Sequence, residues 1–175
     1  MPLVELSATK RALSEDAIPP LAEAITRIVL KAQGARPDSA AARSISRVIV
    51  REVEPDRVFQ GGEPPEQALY RLIVTTPQGA LNDASKATLV AELTHAVLAA
   101  EGTAVRESDA QRVWCVINEI PDGNWGSGGQ IYRWRDIQKW VVRKDFTAKR
   151  QTRAALKQAS ASAAEGSTVE EKNEA

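Results

Sequence analysis

The strongest constraint on the fold is an internal repeat, because two long stretches of the chain match each other in order and spacing. The stretch "MPLVELSATKRALSEDAIPPLAEAI" resembles "LYRLIVTTPQGALNDASKATLVAEL", and in that register Pro2 falls on Tyr70. The stretches that follow also match: "RVIVREVEPDRVFQGG" from Arg47 resembles "RVWCVINEIPDGNWGSGG" from Arg112, with a slightly different spacing. Such self-similarity indicates two copies of one supersecondary unit.

Each copy has the pattern strand–helix–strand. Short β-rich runs open the copies ("PLVEL" and "YRLIVTT"), apolar residues at helical spacing follow, and "RVIVREV" and "RVWCVINEI" form the return strands. Capping and glycine residues predict where the two helices begin and end. The expected N-caps are Ser14 or Asp16 in the first copy and Asn82 or Asp83 in the second, and the expected ends are Gly34 and Gly102.

Two four-stranded folds share this order of elements. One is a ferredoxin-like sheet, and the other is a duplicated βαβ fold that forms trimers. A strand, a crossover helix and a second strand of one sheet are expected to be parallel and right-handed. The order of elements along the chain does not separate the two arrangements.

Composition excludes several classes of function. The 175 residues carry 23 basic and 23 acidic side chains, and a net charge of zero gives no electrostatic case for binding nucleic acid. The one cysteine, Cys115, is typical of a reducing compartment, so we expect a cytoplasmic protein. We expect no signal peptide and no membrane span, because the sequence shows neither a basic-then-apolar leader nor a long apolar run.

The C-terminal region differs from the repeat. "QIYRW" predicts a short strand, and a helix is expected from about Asp136. Between Arg133 and Lys157 there are nine Lys or Arg and two Asp, which favours a solvated helix face. The Ala/Ser/Glu-rich end from about Ser160 predicts a disordered tail.

Pro2 is the first candidate for chemistry. If Met1 is removed, as is usual before a small residue, Pro2 carries the only secondary amine of the chain. The strands of one βαβ unit are parallel, so Pro2 and Arg47 start at the same edge of the sheet and are expected to lie close together. A nearby cation and apolar burial both lower the pKa of an amine, which makes it a better base near neutrality. Arginine also holds a carboxylate through two parallel hydrogen bonds.

These features resemble the tautomerase superfamily, typified by 4-oxalocrotonate tautomerase, whose members begin with a catalytic proline exposed by loss of methionine. The resemblance covers roughly Pro2 to Gln138 and rests on "MPLVEL", on "RVWCVINEIPDGNWGSGG" and on its twin "RVIVREVEPDRVFQGG". In the family an arginine opens the second strand and an aromatic residue precedes a Gly-Gly hairpin. Those positions match Arg47 and Arg112, and Phe59 and Trp125.

The resemblance implies an isomerase without cofactor or metal that moves a proton between carbon and oxygen of a small enol or 2-oxo acid. Pro2 would be the general base, and Arg112 or Arg47 would bind the carboxylate. Trp125 or Phe59 would wall the pocket. Tyr70, which opens the second unit and has no free amine, is a further substrate-binding candidate. Fused members form trimers with pseudo-sixfold symmetry, so a homotrimer with three Pro2 sites is expected.

The implied organisation is a single tautomerase-like α/β (α+β) domain with a four-stranded sheet and two helices. It spans residues 2–143, with βαβ units at 2–62 and 69–129 and a short strand and helix to 143. Residues 144–175 would form a helical extension and a disordered tail.

Alternative functions remain open on this fold. "GNWGSGG" has no carboxylate that could activate water, which disfavours hydration and dehalogenation but leaves a decarboxylase-like activity. A non-catalytic trimeric interaction protein is the other alternative, with the basic C-terminal helix as its binding surface. A ferredoxin-like RNA-binding domain is disfavoured, because its aromatic strand pattern is missing and the net charge is zero.

Overall fold

A computed structural model describes residues 1–102 and 106–170 of the chain. Its compact unit is Met1–Ile137, which contains one four-stranded sheet and a small two-stranded hairpin. The strands are β1 (Leu3–Thr9), β2 (Arg47–Val53), β3 (Tyr70–Pro77), β4 (Val113–Ile120), β5 (Trp125–Ser127) and β6 (Gln130–Tyr132). The helices are α1 (Ile18–Ala32), α2 (Ala40–Ser44), α3 (Asp83–Ala100), α4 (Glu107–Ala110) and α5 (Trp134–Glu170), with short 3-10 turns at Glu15–Ala17 and Pro55–Arg57.

The strand order is β2-β1-β3-β4. β1 is parallel to β2 and β3 is parallel to β4, whereas β1 and β3 run antiparallel with Leu6 opposite Leu72. A ferredoxin-like sheet would place another strand between the two parallel strands of each unit. Here β1 and β2 are direct neighbours, so the sheet is a duplicated βαβ arrangement. The predicted α/β (α+β) fold class with a four-stranded sheet and two main helices is confirmed.

One face of the sheet forms the core. Side chains alternate along each strand, so β1 buries every second residue, in one apolar cluster with residues of α1 and α3. The fully buried side chains come from both repeats, and among them are Leu6, Ile25, Leu72, Leu89 and Leu93. The residues of the opposite face are mostly partly buried or exposed, and we call it the open face.

The open face is defined by the residues between the core positions. It carries charged side chains such as Glu5 of β1 and Arg71 of β3, together with exposed apolar ones. Ile49 is 38% exposed, Val116 is 45% exposed and Trp114 is 70% exposed. An apolar surface of this kind is typical of a face that associates with other chains.

The N-cap of the second helix was predicted correctly. The Asn82 side chain accepts a hydrogen bond from the Ser85 N–H at 2.9 Å, and the Ser85 hydroxyl accepts one from the Asn82 N–H at 2.9 Å. This reciprocal pair is a capping box.

The N-cap prediction for the first helix is wrong. Neither Ser14 nor Asp16 caps it, because the chain makes a 3-10 turn first and α1 begins at Ile18 after Ala17. A capping side chain accepts from the second or third N–H of the helix. Those positions are Pro19 and Pro20, which have no N–H to donate.

The predicted ends of both helices are confirmed. Gly34 and Gly102 follow α1 and α3 with φ of +71° and +79°, a conformation that glycine adopts without a steric penalty.

The C-terminal helix α5 begins at Trp134, slightly before the predicted start at Asp136, and the predicted strand before it is β6. The compact unit ends at Ile137, before the boundary expected after residue 143, and the rest of α5 forms a separate unit. The helix continues to Glu170 where a disordered tail was expected from about Ser160, which fits the high helix propensity of its alanines. Residues 171–175 lie outside the described residues. Among the described helices, none is both long enough and apolar enough to cross a bilayer.

The two predicted caps can be compared by mutation. We expect Asn82→Ala to lower the free energy of unfolding by about 1 kcal/mol, since it leaves a helix N–H without its acceptor. Ser14→Ala is the matched control and should change stability by less than about 0.5 kcal/mol. Urea unfolding at one fixed protein concentration measures both. Equal effects of the two changes would contradict the capping assignment.

Candidate active site

The start of β1 and the start of β2 lie side by side. Leu3 pairs with Arg47 in the parallel register, and the Arg47 N–H donates to the Pro2 carbonyl at 3.0 Å. β3 runs in the opposite direction, so Thr75, near its C-terminal end, lies opposite Leu3. Three strands therefore bring different parts of the sequence to one edge of the sheet, and Pro2 precedes the middle strand of the three.

A pocket of about 500 Å³ lies at this edge, and its lining includes Met1, Pro2, Arg47, Thr75 and Trp125. We call it the proline pocket. Trp125 reaches it because β4 is parallel to β3 and ends at the same edge, and the chain turns there into β5. The indole is half-buried, so it forms a wall of the pocket.

The electrostatics of the proline pocket favour a neutral amine. Pro2 is buried, and burial lowers the pKa of the Met1 amine from 8.0 to about 6. The Arg47 side chain is exposed, and within residues 1–102 and 106–170 it forms no ion pair with a carboxylate. A terminal amine that is readily deprotonated and an arginine available to an anion thus share one pocket.

A second pocket of about 510 Å³ lies at the other edge of the sheet, and its lining includes Phe59, Tyr70, Arg71, Arg112 and Trp114. We call it the far-end pocket. Its position is explained by the internal repeat, because β2 ends at this edge of the sheet and β3 begins there. The two pockets correspond residue by residue: Tyr70 takes the place of Pro2, Arg112 that of Arg47, and Phe59 that of Trp125.

Arg112 is held in a partly buried polar network. Its guanidinium donates to both oxygens of Glu101, at 2.8 and 2.6 Å, and to the Ala68 carbonyl at 3.0 Å. It also lies 6.0 Å from the centre of the Tyr70 ring, and its side chain is only 10% exposed. The charge of Arg112 is therefore balanced by Glu101, and Asp109 lies 3.7 Å from it on another side.

Tyr70 keeps its proton in this environment. Burial raises the pKa of its phenol, and the nearby Glu101 carboxylate raises it further, against the opposing effect of Arg112. Within the described residues, the Tyr70 hydroxyl and the Arg112 Nε have no hydrogen-bond partner. The described residues that line the far-end pocket thus include no carboxylate, histidine or free amine that could accept a proton from carbon.

The structure divides the six candidate residues into two groups. Pro2, Arg47 and Trp125 line the proline pocket, whereas Phe59, Tyr70 and Arg112 of the same chain line the far-end pocket. Sequence reasoning missed Thr75 and Asn124 in the first pocket and Trp114 in the second. The turn sequence "PDGN" was a signal for Asn124, but the positions of Thr75 and Trp114 required the strand register.

No family model matches the sequence, and no curated protein matches it either. Solved structures do match. A wild-type fused 4-OT that forms an asymmetric trimer is 22% identical, with a TM-score of 0.61, over 74% of this chain and 94% of its own. The chain has the tautomerase-superfamily fold.

Two further matches support this fold. A member of the cis-3-chloroacrylic acid dehalogenase family is 16% identical, with a TM-score of 0.64, over 79% of this chain and 89% of its own. A protein whose structure was solved after inactivation by 2-oxo-3-pentynoate is 21% identical, with a TM-score of 0.61, over 74% of this chain and 94% of its own. The structural similarity of these matches establishes the fold, and their low sequence identities say nothing about the substrate or the mechanism of this chain.

The partly buried network of Arg112 predicts a loss of stability on mutation. Glu101→Ala should lower the free energy of unfolding by about 1.5–3 kcal/mol, because it removes two charge-assisted hydrogen bonds from the Arg112 guanidinium. The matched control is Glu92→Ala, which removes an exposed ion pair with Lys31 and should cost less than about 1 kcal/mol. Urea unfolding measures both. A loss below about 1 kcal/mol for Glu101→Ala would show that Arg112 is not held as described.

Proposed function

We propose that this protein is a cofactor-independent tautomerase that uses Pro2 as its general base. The substrate class is a small enol or 2-oxo acid that carries a carboxylate. The observation that carries the proposal is the proline pocket, where buried Pro2 lies beside Arg47, which has no acidic partner among the described residues. The tautomerase fold supports it independently of these residues.

The proposed mechanism begins with removal of Met1, which makes the Pro2 nitrogen a secondary amine. In ketonisation, this nitrogen accepts the proton of the enol hydroxyl. The C–O bond becomes a carbonyl, and the electron pair of the C=C bond moves to the far carbon of that bond. The protonated Pro2 then gives the proton to that carbon, and the base is regenerated. No electron or group leaves the substrate, so the reaction requires no cofactor. A neutral amine here should also be alkylated by 2-oxo-3-pentynoate, the reagent that inactivates one structural neighbour.

Arg47 is the proposed carboxylate ligand. Its guanidinium is exposed in the proline pocket, where it can form two parallel hydrogen bonds with a carboxylate. Arg112 of the same chain is paired with Glu101 at the opposite edge of the sheet. Trp125 would cover the substrate and keep the pocket apolar.

A homotrimer is the proposed assembly. The open face of the sheet exposes Ile49 and Val116, and association with neighbouring chains would bury them. Fused 4-OT structures of the same fold form asymmetric and symmetric trimers. Three copies of this chain would carry three proline pockets and three far-end pockets.

Substitution of the base tests the function. We expect Pro2→Ala to lower the rate of ketonisation of 2-hydroxymuconate or phenylenolpyruvate by about 10²–10⁴-fold, which is the usual contribution of a general base. The thermal stability of the Pro2→Ala protein should stay close to that of the wild type. Pro20→Ala, an exposed proline outside the pocket, is the matched control and should keep the full rate. Mass spectrometry of both proteins establishes that Met1 is absent. Full activity of Pro2→Ala would refute the proposed mechanism.

The dependence of activity on pH follows from the same base. A base must be unprotonated to act, so kcat/KM should fall as the pH drops below the pKa of the Pro2 amine. The burial that lowers the pKa of the Met1 amine to about 6 should bring the pKa of Pro2 toward neutrality as well. The measured profile should therefore rise with pH and level off near neutral pH. A profile still rising steeply at pH 10 would mean that the pocket does not lower the pKa of its amine.

The two arginines give opposite predictions. Arg47→Gln should raise KM by at least about tenfold, since it removes a charge-assisted contact to the carboxylate. Arg112→Lys should leave KM within about threefold, provided that the purified protein is folded. The reverse result would assign the carboxylate to Arg112 of a neighbouring subunit.

A further inference from the structure

The far-end pocket has no role in the proposed reaction, yet it is as large as the proline pocket. The cavity volumes are about 510 and 500 Å³, within the range of pockets that bind small molecules. The polar groups of the far-end pocket differ from those of the proline pocket, because Tyr70, Arg71 and Arg112 line it.

The charge of the far-end pocket favours an anion. Among the described residues that line it, Arg71 and Arg112 carry a charge, and both are basic. Glu101 neutralises Arg112, so that cation is already satisfied. Arg71 is exposed on β3 and forms no ion pair within the described residues. With Arg112 balanced by Glu101, Arg71 is the described lining residue whose positive charge is left for an anion.

The apolar part of the lining favours a flat ligand. Phe59 is 59% exposed and Trp114 is 70% exposed, so both rings present surface that a bound molecule would cover. Aliphatic side chains such as Val53, Val58 and Leu69 complete the wall. Aromatic surfaces prefer stacked or edge-on contacts with another ring.

We propose that the far-end pocket is a non-catalytic binding site for a small planar aromatic carboxylate, held between Phe59 and Trp114 with its carboxylate on Arg71. The ligand binds without reacting because Tyr70 stands where the proline pocket has its amine. This goes beyond the proposed function, since none of its residues takes part in proton transfer at Pro2.

The proposed homotrimer would leave the site open. The two pockets are related by the internal repeat, so a trimer with pseudo-sixfold symmetry would place both in corresponding surroundings. An arrangement that leaves the proline pocket accessible to substrate leaves the far-end pocket accessible in the same way.

Two tryptophans report on the two pockets separately. Trp114 lines the far-end pocket and Trp125 the proline pocket, and their indole N–H signals can be assigned in ¹⁵N–¹H spectra with Trp114→Phe and Trp125→Phe. The probes are trans-cinnamate and its neutral isostere cinnamamide. The proposal expects cinnamate to shift the Trp114 signal in a saturable way, and cinnamamide to bind about tenfold more weakly. The shift should persist in Pro2→Ala, which separates this site from the proposed catalytic one.

Arg71→Gln should weaken cinnamate binding at Trp114 by about tenfold, the size of one lost charge-assisted contact. The matched control is Arg51→Gln, an exposed arginine that does not line the pocket and should leave binding unchanged. A saturable shift confined to Trp125, equal binding of cinnamate and cinnamamide, or unchanged binding in Arg71→Gln would each overturn the proposal. The ketonisation rate of Pro2→Ala tests only the catalytic function, and cinnamate binding at Trp114 tests only the far-end site, so the two proposals can fail independently.

Discussion

The two halves of the chain meet along β1 and β3, which pair antiparallel with Leu6 opposite Leu72 in the centre of the core. This pairing also sets the directions of β2 and β4, because each half adds its second strand in parallel on the outside of the sheet. Equivalent residues of the two halves therefore lie at opposite edges of the sheet. The separation of the proline pocket from the far-end pocket is a direct consequence.

The two pockets show how one backbone supports different chemistry. At the first edge a terminal amine is buried beside an arginine that has no acidic partner in the described part of the chain. At the second edge the equivalent arginine is held by Glu101, and a protonated tyrosine replaces the amine. The fold supplies both cavities, and a few residues decide whether a cavity contains a group that can act as a base.

Much of this arrangement could be predicted from the sequence, because the repeat determines the elements and parallel strands place Pro2 beside Arg47. The N-cap at Asn82 followed from local chemistry, whereas Ser14 failed because two prolines remove the donors that a cap requires. The separation of Phe59 and Arg112 from Pro2 depends on the antiparallel junction between the halves, which the order of elements does not reveal. The pairing of Arg112 with Glu101 depends on how the end of α3 packs beside the start of β4, and no local pattern reports that contact.

The central claim is that Pro2 carries a neutral amine in the proline pocket. Its most direct test is to treat the protein with 2-oxo-3-pentynoate and locate the adduct by mass spectrometry of peptides. The account predicts one adduct per chain on the nitrogen of Pro2, formed more slowly as the pH falls below the pKa of that amine. Cys115 should remain unmodified, since burial raises the pKa of its thiol to about 11. An unmodified Pro2, with the adduct on Cys115 or on lysine side chains, would contradict the account.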